Sequence, residues 1–401
     1  MKLTRVDADD PRAVLRGLRG AVLGAGPAIA LGGAARSGDA AQSGAAAPAP
    51  LPDDVPPGTA VVVTTSGSTG HPKSVVLSRS ALTSSALATT ERIGAGAWLL
   101  ALPAGYIAGI QVLVRALVAG REPAILSGSF SAHAFAAAAS AMASHEHGAP
   151  VPTYTSLVPA QLQTVLDAID AGDAAAARAL AGFAAILVGG QALAPALAAR
   201  AEAAGARVVR TYGSSETAGG CVYDGIPLPG VGVRVVDGEV QLSGPTLADG
   251  YLGDPDLTAR AFARDAAGTR WYRTGDVGTA EGGRLRVTGR ADNVIISGGV
   301  NVSLDRVERV VRGIEGFGDA VVVPVADGRW GQASVVFAAS AAARREDAET
   351  LVRTAVEVAL GKPARPRALV PIAEIPHLAS GKPDRAALRA LAEAGAPPPR
   401  T

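Results

Sequence analysis

Between Ser78 and Val236, runs of β-branched and apolar residues alternate with segments of helical periodicity, and this alternation narrows the fold more than any other feature. Helices are predicted over 81–92, 109–118, 132–144, 159–171 and 195–204, with strands over 98–102, 153–157, 184–187 and 208–210. Such repetition predicts parallel sheets covered by helices, with ligand sites at the carboxyl ends of the strands. Ahead of it a helix is expected over 10–23, and 24–58, rich in Ala, Gly and Pro, reads as a mobile linker. Residues 233–290 change to short strands and Gly-rich turns, the pattern of a β-rich subdomain. After Arg290, strands over 293–296, 320–325 and 333–338 and helices over 303–311, 348–360 and 383–391 make an α+β unit of about 110 residues, an ordinary domain size. The expected architecture is α/β: a large domain, 1–291, of helix-covered parallel sheets with a β-rich subdomain, then a small mobile α+β domain, 292–401.

Two further strands, 60–64 and 74–78, flank the run Thr65-Ser66-Gly67-Ser68-Thr69-Gly70-His71-Pro72-Lys73-Ser74. Ser66, Ser68 and Thr69 supply hydroxyl donors, Gly67 and Gly70 permit a backbone curl whose N–H groups converge on an anion, and Lys73 adds a cation. The spacing invites comparison with G-x-x-x-x-G-K-[ST], but Pro72 replaces the second glycine and a strand follows instead of a helix. The run therefore reads as a phosphate-gripping loop of another fold.

Composition bounds the partners. With 401 residues, 48% hydrophobic content and a net charge of +1, the chain buries a large core and offers no basic surface for nucleic acid or acidic membranes. Cys221 is alone, so no internal disulfide or cysteine-based zinc site forms, and no basic-then-apolar leader opens the chain. A cytoplasmic enzyme acting on small molecules fits these facts; a homodimer is left open. Residues 93–114 carry no charge except Arg92 just outside, but Pro103 and four glycines break that stretch into strand, loop and helix, so no stable membrane insertion is expected. His145-Glu146-His147 lacks further ligands for a metal.

The SGSTGHPK run resembles the phosphate loop of the adenylate-forming superfamily, the acyl- and aryl-CoA synthetases and related adenylation domains, and five more segments carry the resemblance in order. Val188-Gly189-Gly190-Gln191 is similar to the segment that passes beside the purine. Thr211-Tyr212-Gly213-Ser214-Ser215-Glu216 matches Y-G-x-[ST]-E, which implies Tyr212 against adenine, Gly213 beside it, Ser215 near the α-phosphate and Glu216 on Mg²⁺. Tyr272-Arg273-Thr274-Gly275-Asp276 implies Asp276 as the acceptor of both ribose hydroxyls, a task suited to a carboxylate. Gly289-Arg290-Ala291-Asp292 resembles the hinge segment, with Arg290 approaching the nucleotide and Asp292 the pivot; Asn293 replaces a frequently acidic neighbour, which is expected to matter little. Ser380-Gly381-Lys382-Pro383-Asp384-Arg385 resembles S-G-K-x-x-R, which implies that Lys382 bridges the attacking carboxylate and the α-phosphate. Relatives carry a longer portion before the phosphate loop, so abbreviation is expected there.

Within the superfamily, ALPAGYIAGIQVLVRALVAG, TYTSLVPAQL and YGSSETAGGCVYDGIPL look like o-succinylbenzoyl-CoA synthetases of menaquinone biosynthesis, particularly their short forms. The likeness implies an acyl pocket lined by Tyr106, where many relatives have His, by Gln111 and Arg115 one helical turn apart, by Ser156 and Leu157, and by Gly213, with Arg115 meeting a second carboxylate. It further implies ATP and Mg²⁺ as cofactors, CoA as co-substrate, and Lys73, Glu216, Arg290 and Lys382 as the catalytic set. On the residues alone Arg115 reads equally as half of a structural ion pair. The competing readings are a CoA ligase for another aryl or short acyl acid and a non-catalytic nucleotide or acyl sensor of the same fold.

Overall fold

The computed structural model describes residues 1–32, 51–65, 72–142, 144–146, 148–378 and 380–394. Its first sheet runs, in spatial order, through Leu3–Arg5, Ala28–Leu31, Thr59–Thr65, Lys73–Ser78 and Gly250–Tyr251; the first three strands are parallel and the last two add antiparallel. The strand Ala28–Leu31, buried at every position, lies inside the stretch read as linker. Its Ala-Ile-Ala-Leu run is too short to stand out from surrounding Gly, Ala and Pro, and only pairing on both edges makes it a strand.

The second sheet is ordered Ile226–Pro227, Gly219–Tyr223, Val208–Ser214, Ala185–Val188, Thr153–Leu157, Ala97–Leu100, Ala124–Ile125. Its middle is parallel as expected, but Gly219–Tyr223 returns antiparallel along Val208–Ser214, so the sheet is mixed. That return extends the strand expected over 208–210 as far as Ser214. The helix Ala174–Gly182 is absent from the sequence expectation; Asp173 caps it by accepting from the Ala175 and Ala176 amides. The expected helix over 132–144 stops at Ser140.

Two apolar layers sandwich the second sheet. On one side Trp98 and Tyr154 pack with Leu82, Ile110 and Leu113; on the other Leu99, Leu157, Ile186 and Val188 pack with Leu162 and Val165. The helix Ile107–Val118 is buried from Gly109 through Ala116, so its apolar character reflects burial on all sides. Among the described residues no helix is long and apolar enough to cross a membrane.

The β-rich region builds a sheet from Gly232–Val236, Glu239–Ser243, Arg270–Glu281 and Phe262–Arg264, with Arg284–Arg290 paired beside Arg270–Glu281. Beyond it, Val300–Ser303, Val294–Ser297, Gly331–Ala338, Val321–Asp327 and an unanticipated Ala368–Pro371 form a separate sheet, flanked by the helices Leu304–Arg312, Ala348–Leu360 and Arg385–Ala394. This small unit has its own apolar clusters on the two faces of its sheet.

Close approach fixes how the buried helix enters. A Cβ on Gly109 would lie 2.2 Å from the Pro103 carbonyl oxygen, so the loop 103–106 folds directly onto the first turn of Ile107–Val118. Gly109→Ala is expected to lower unfolding stability by roughly 3 kcal/mol through overpacking against backbone, read by urea denaturation; an unchanged midpoint would mean that the loop yields freely.

Candidate functional site

The chemistry-bearing side chains gather beyond the carboxyl ends of the parallel strands, where the β-rich region and the small unit meet them. Tyr212 and Gly213 lie on the strand Val208–Ser214, not in a turn after it, and a Cβ on Gly213 would stand 2.1 Å from the Gly219 carbonyl oxygen. Ser215 and Glu216 follow in a short 3₁₀ turn. The Tyr212 hydroxyl donates to Asp276 Oδ2 at 2.6 Å, while Arg290 Nη1 donates to Asp276 Oδ1 at 3.1 Å. Burial raises the Asp276 pKa, opposed by the Tyr212 hydrogen bond and the Arg290 charge. Burial, then the neighbouring Asp276, pushes the Tyr212 phenol far above its usual range, so it remains a donor.

Arg290 also grips Asp292 with two bonds, Nε to Oδ1 at 2.7 Å and Nη2 to Oδ2 at 3.0 Å. Its backbone amide donates to Asp305 Oδ2, and the Asn293 side-chain amide donates to Asp305 Oδ1 at 2.8 Å. Asn293 therefore matters where the sequence reading expected indifference: a carboxylate there would face Asp305 with no proton to donate.

Glu216 Oε1 accepts from the Tyr251 hydroxyl at 2.9 Å, and Lys73 Nζ stands 5.7 Å from the centre of the Tyr251 ring. Tyr251 carried no site motif in the sequence reading; only the short strand Gly250–Tyr251, added to the first sheet, brings it here. The loop residues Ser66, Gly67, Ser68, Thr69 and Gly70 lie outside the described residues, but Thr65 and Lys73 are antiparallel partners, so that loop springs from a closed hairpin. Lys382 reaches the same place from the small unit. Its side chain keeps contact with solvent, yet surrounding protein and the Arg290 charge lower its ammonium below the usual lysine range, offset in part by Glu216 and Asp276.

Gly189 lies so near the next strand that a Cβ would stand 2.3 Å from Thr211 Oγ1, and Gly190 adopts a left-handed φ of +81°. The Gln191 amide, expected beside the purine, donates instead to the Gly381 carbonyl at 3.3 Å. Cys221 is fully buried and its thiol is pushed up to about 12, which suits packing and not nucleophilic attack. Among the described residues no cluster of three or more His, Cys, Asp or Glu is placed to hold a metal, and Glu146 pairs with Arg121.

At the other end of the crevice, Ile107, Gln111 and Arg115 share one face of the buried helix. Arg115 is 4% exposed; its Nη2 donates to the Tyr223 hydroxyl at 3.1 Å and its guanidinium lies 5.0 Å from the Trp98 ring centre. Tyr223 shares a 2.9 Å hydrogen bond with Thr89. Among the described residues, Arg115 Nε and Gln111 Oε1 have no hydrogen-bond partner and no carboxylate pairs with Arg115. Burial accordingly lowers the pKa of the guanidinium. Gly219 packs on Gln111, with a virtual Cβ 3.0 Å from Gln111 Cγ.

Two expected pocket residues are not brought to this spot. Strand alternation puts Ser156 on the face of Tyr154 and sends Leu157 into the opposite apolar layer, with Leu162 and Val188. Tyr106 caps the helix beside Asp9, roughly 13 Å along the axis from Arg115; Ile107 takes the crevice face instead. Trp98 and Tyr223 escaped the sequence reading because their strands read as core.

Residues 10–252 match the family described as AMP-binding enzyme, and residues 306–382 match the AMP-binding enzyme C-terminal domain. The chain is 40% identical over 345 residues to a probable 2-succinylbenzoate–CoA ligase of Mycobacterium tuberculosis, covering 84% of this chain and 85% of the relative. Against the 2-succinylbenzoate–CoA ligase of Escherichia coli the identity is 31% over 282 residues, 68% of this chain and 56% of the relative. Among solved structures, a variant of E. coli MenE with bound OSB-AMS superimposes with a TM-score of 0.68 at 27% identity, covering 85% and 70% of the two chains. The amide bond synthetase McbA of Marinactinospora thermotolerans gives 0.70 at 28% identity, covering 91% and 75%.

The lone buried guanidinium separates a structural role from a ligand-binding one. Breaking a buried ion pair would strand a carboxylate and cost about 3–5 kcal/mol. Here the several kcal/mol of desolvation are roughly balanced by the Trp98 stack and the Tyr223 hydrogen bond. Arg115→Met is therefore expected to leave unfolding stability within about 1 kcal/mol of the parent, measured by chemical denaturation without ligand; a loss of ion-pair size would make Arg115 structural.

Proposed function

The chain belongs to the AMP-binding enzyme family, and from that premise we infer that it is an AMP-forming acid–thiol ligase. It uses ATP to activate 2-succinylbenzoate as the acyl-adenylate and transfers the acyl group to CoA, a step of menaquinone biosynthesis. The observation that carries the choice of acid is Arg115, a cation in an apolar helix with, among the described residues, no carboxylate to meet it and no partner for its Nε. A dicarboxylate supplies the missing charge: one carboxylate reaches Arg115 while the other is presented to the nucleotide, and binding at the remote end orients the reacting end.

At the reacting end, Lys73 with Ser66, Gly67, Ser68, Thr69 and Gly70 holds the phosphates. Asp276, already aimed by Tyr212 and Arg290, anchors the ribose, and Tyr212, Gly213 and the Gly189-Gly190 pair line the base. Mg²⁺ takes hard oxygen ligands, and Glu216 fits it, a carboxylate whose Oε1 is held in place by the Tyr251 hydroxyl. When bound, the metal neutralises phosphate charge. Lys382 faces the charge that develops as the acid carboxylate attacks the α-phosphate. The small unit, 292–401, then rotates about Asp292, withdrawing Lys382 and admitting CoA.

Lys382→Ala is expected to slow adenylation by roughly 10²- to 10³-fold, the usual loss for one transition-state donor. Thioester formation from preformed adenylate should stay near the parent rate. The two half-reactions are measured by pyrophosphate exchange and by CoA-dependent AMP release, and equal losses would refute the rotation. Pyrophosphate release across a panel of acids, with thioesters identified by mass spectrometry, tests the substrate. 2-Succinylbenzoate should be preferred, and Arg115→Ala should raise its KM while leaving benzoate unchanged. Equal turnover of simple monocarboxylates would reassign the acid.

A further inference from the structure

We propose that Gln191 is a positioning residue that latches the Lys382 loop onto the large domain, and that release of its hydrogen bond to Gly381 is part of the passage between half-reactions. The proposal rests on the two-step reading above and on how the loop is seated. Within the small unit, Leu378 N–H donates to the Lys382 carbonyl and Gly381 N–H to the Leu378 carbonyl, each at 2.8 Å. Just past it Arg385 donates to Glu308 at 2.8 Å and to the Val322 carbonyl at 2.6 Å, which ties the loop to its own sheet. Lys382 is thus carried by its unit as a fixed attachment, and its place in the crevice depends on where that unit docks.

The seat on the other side is equally firm. Val158 is braced by Gln161, which accepts from the Val158 amide at 3.2 Å and donates to the Ala101 carbonyl at 2.8 Å. Gly381 lies against Val158 so closely that a Cβ there would stand 2.9 Å from Val158 Cγ2, and its φ of +78° suits only glycine. Gly190 lies under the Lys382 stem, a virtual Cβ 3.9 Å from Lys382 Cε. Between these two firm surfaces, the Gln191 amide to the Gly381 carbonyl is the one hydrogen bond, among the described residues, from the large domain to residues 377–384. A single neutral bond of this kind shifts an equilibrium by roughly three- to tenfold. That strength biases the docked position and still lets it open on every turnover.

Gln191→Leu keeps the bulk and removes the donor. It is expected to lower the pyrophosphate-exchange rate roughly three- to tenfold with an unchanged KM for ATP, and to leave AMP release from preformed adenylate equal or faster. Gly381→Ala should show the same split with a larger first-step loss, because it fills the contact with Val158. A raised KM for ATP at unchanged rate would return Gln191 to the purine site and overturn the proposal. Equal losses in both steps would also overturn it, as a merely structural effect. The two-step reading is judged separately, by Lys382→Ala: if that variant splits the half-reactions and Gln191→Leu does not, only the latch is lost.

Discussion

Asp276, Arg290 and Asp305 tie the parallel sheet, the β-rich region and the small unit together. Asp276 receives Tyr212 from the parallel sheet and Arg290 from the end of the β-rich region; Arg290 in turn grips Asp292 and, through its amide, Asp305. Asp305 stands in the first turn of Leu304–Arg312, where a negative charge also suits the helix dipole. A chain of charge-assisted hydrogen bonds therefore runs from the proposed ribose anchor to the first helix of the small unit. Such bonds are short and directional, so the geometry at Asp276 depends on the orientation of that helix. Asn293 completes the set because it can donate to Asp305 where an acid could not.

The two ends of the crevice handle charge differently. Around Asp276, Arg290 and Lys382 cations and carboxylates sit together, so opposite charges offset part of the shift that burial imposes on Lys382 and Asp276. Arg115, by contrast, has an aromatic face and a phenol and, among the described residues, no anion. The fold tolerates that because the Trp98 ring and the Tyr223 hydroxyl roughly offset the desolvation cost. Gln111 Oε1, one turn away, is likewise buried and without a partner among the described residues.

The six motif segments were legible because each sets glycines or charges at fixed offsets in an otherwise Ala-rich chain, and most of the helices and strands followed from periodicity. Ser156 and Leu157 were expected together, but in a strand adjacent residues face opposite layers, and Leu157 packs with Leu162 and Val188. Tyr106 stands at the extended N-cap of the buried helix, while Ile107 shares the helix face of Gln111 and Arg115. Tyr251, Trp98 and Tyr223 could not be found by motif at all, since each reaches the site from a strand whose own pattern only says that it is buried.

The sequence by itself determined the family, the α/β architecture and the identities of the charged groups, since those depend on local patterns: glycine where backbone must curl, and charged residues at fixed offsets beside it. Tertiary structure alone decided that Arg115 meets no carboxylate among the described residues, that the Gln191 amide bonds Gly381, and that Asn293 donates to Asp305. Each of those depends on which separate stretches of chain are brought together, set by sheet order and by the docking of the small unit. Side-chain hydrogen bonds act over about 3 Å, so no reading of neighbours along the chain specifies which distant group will lie within that reach.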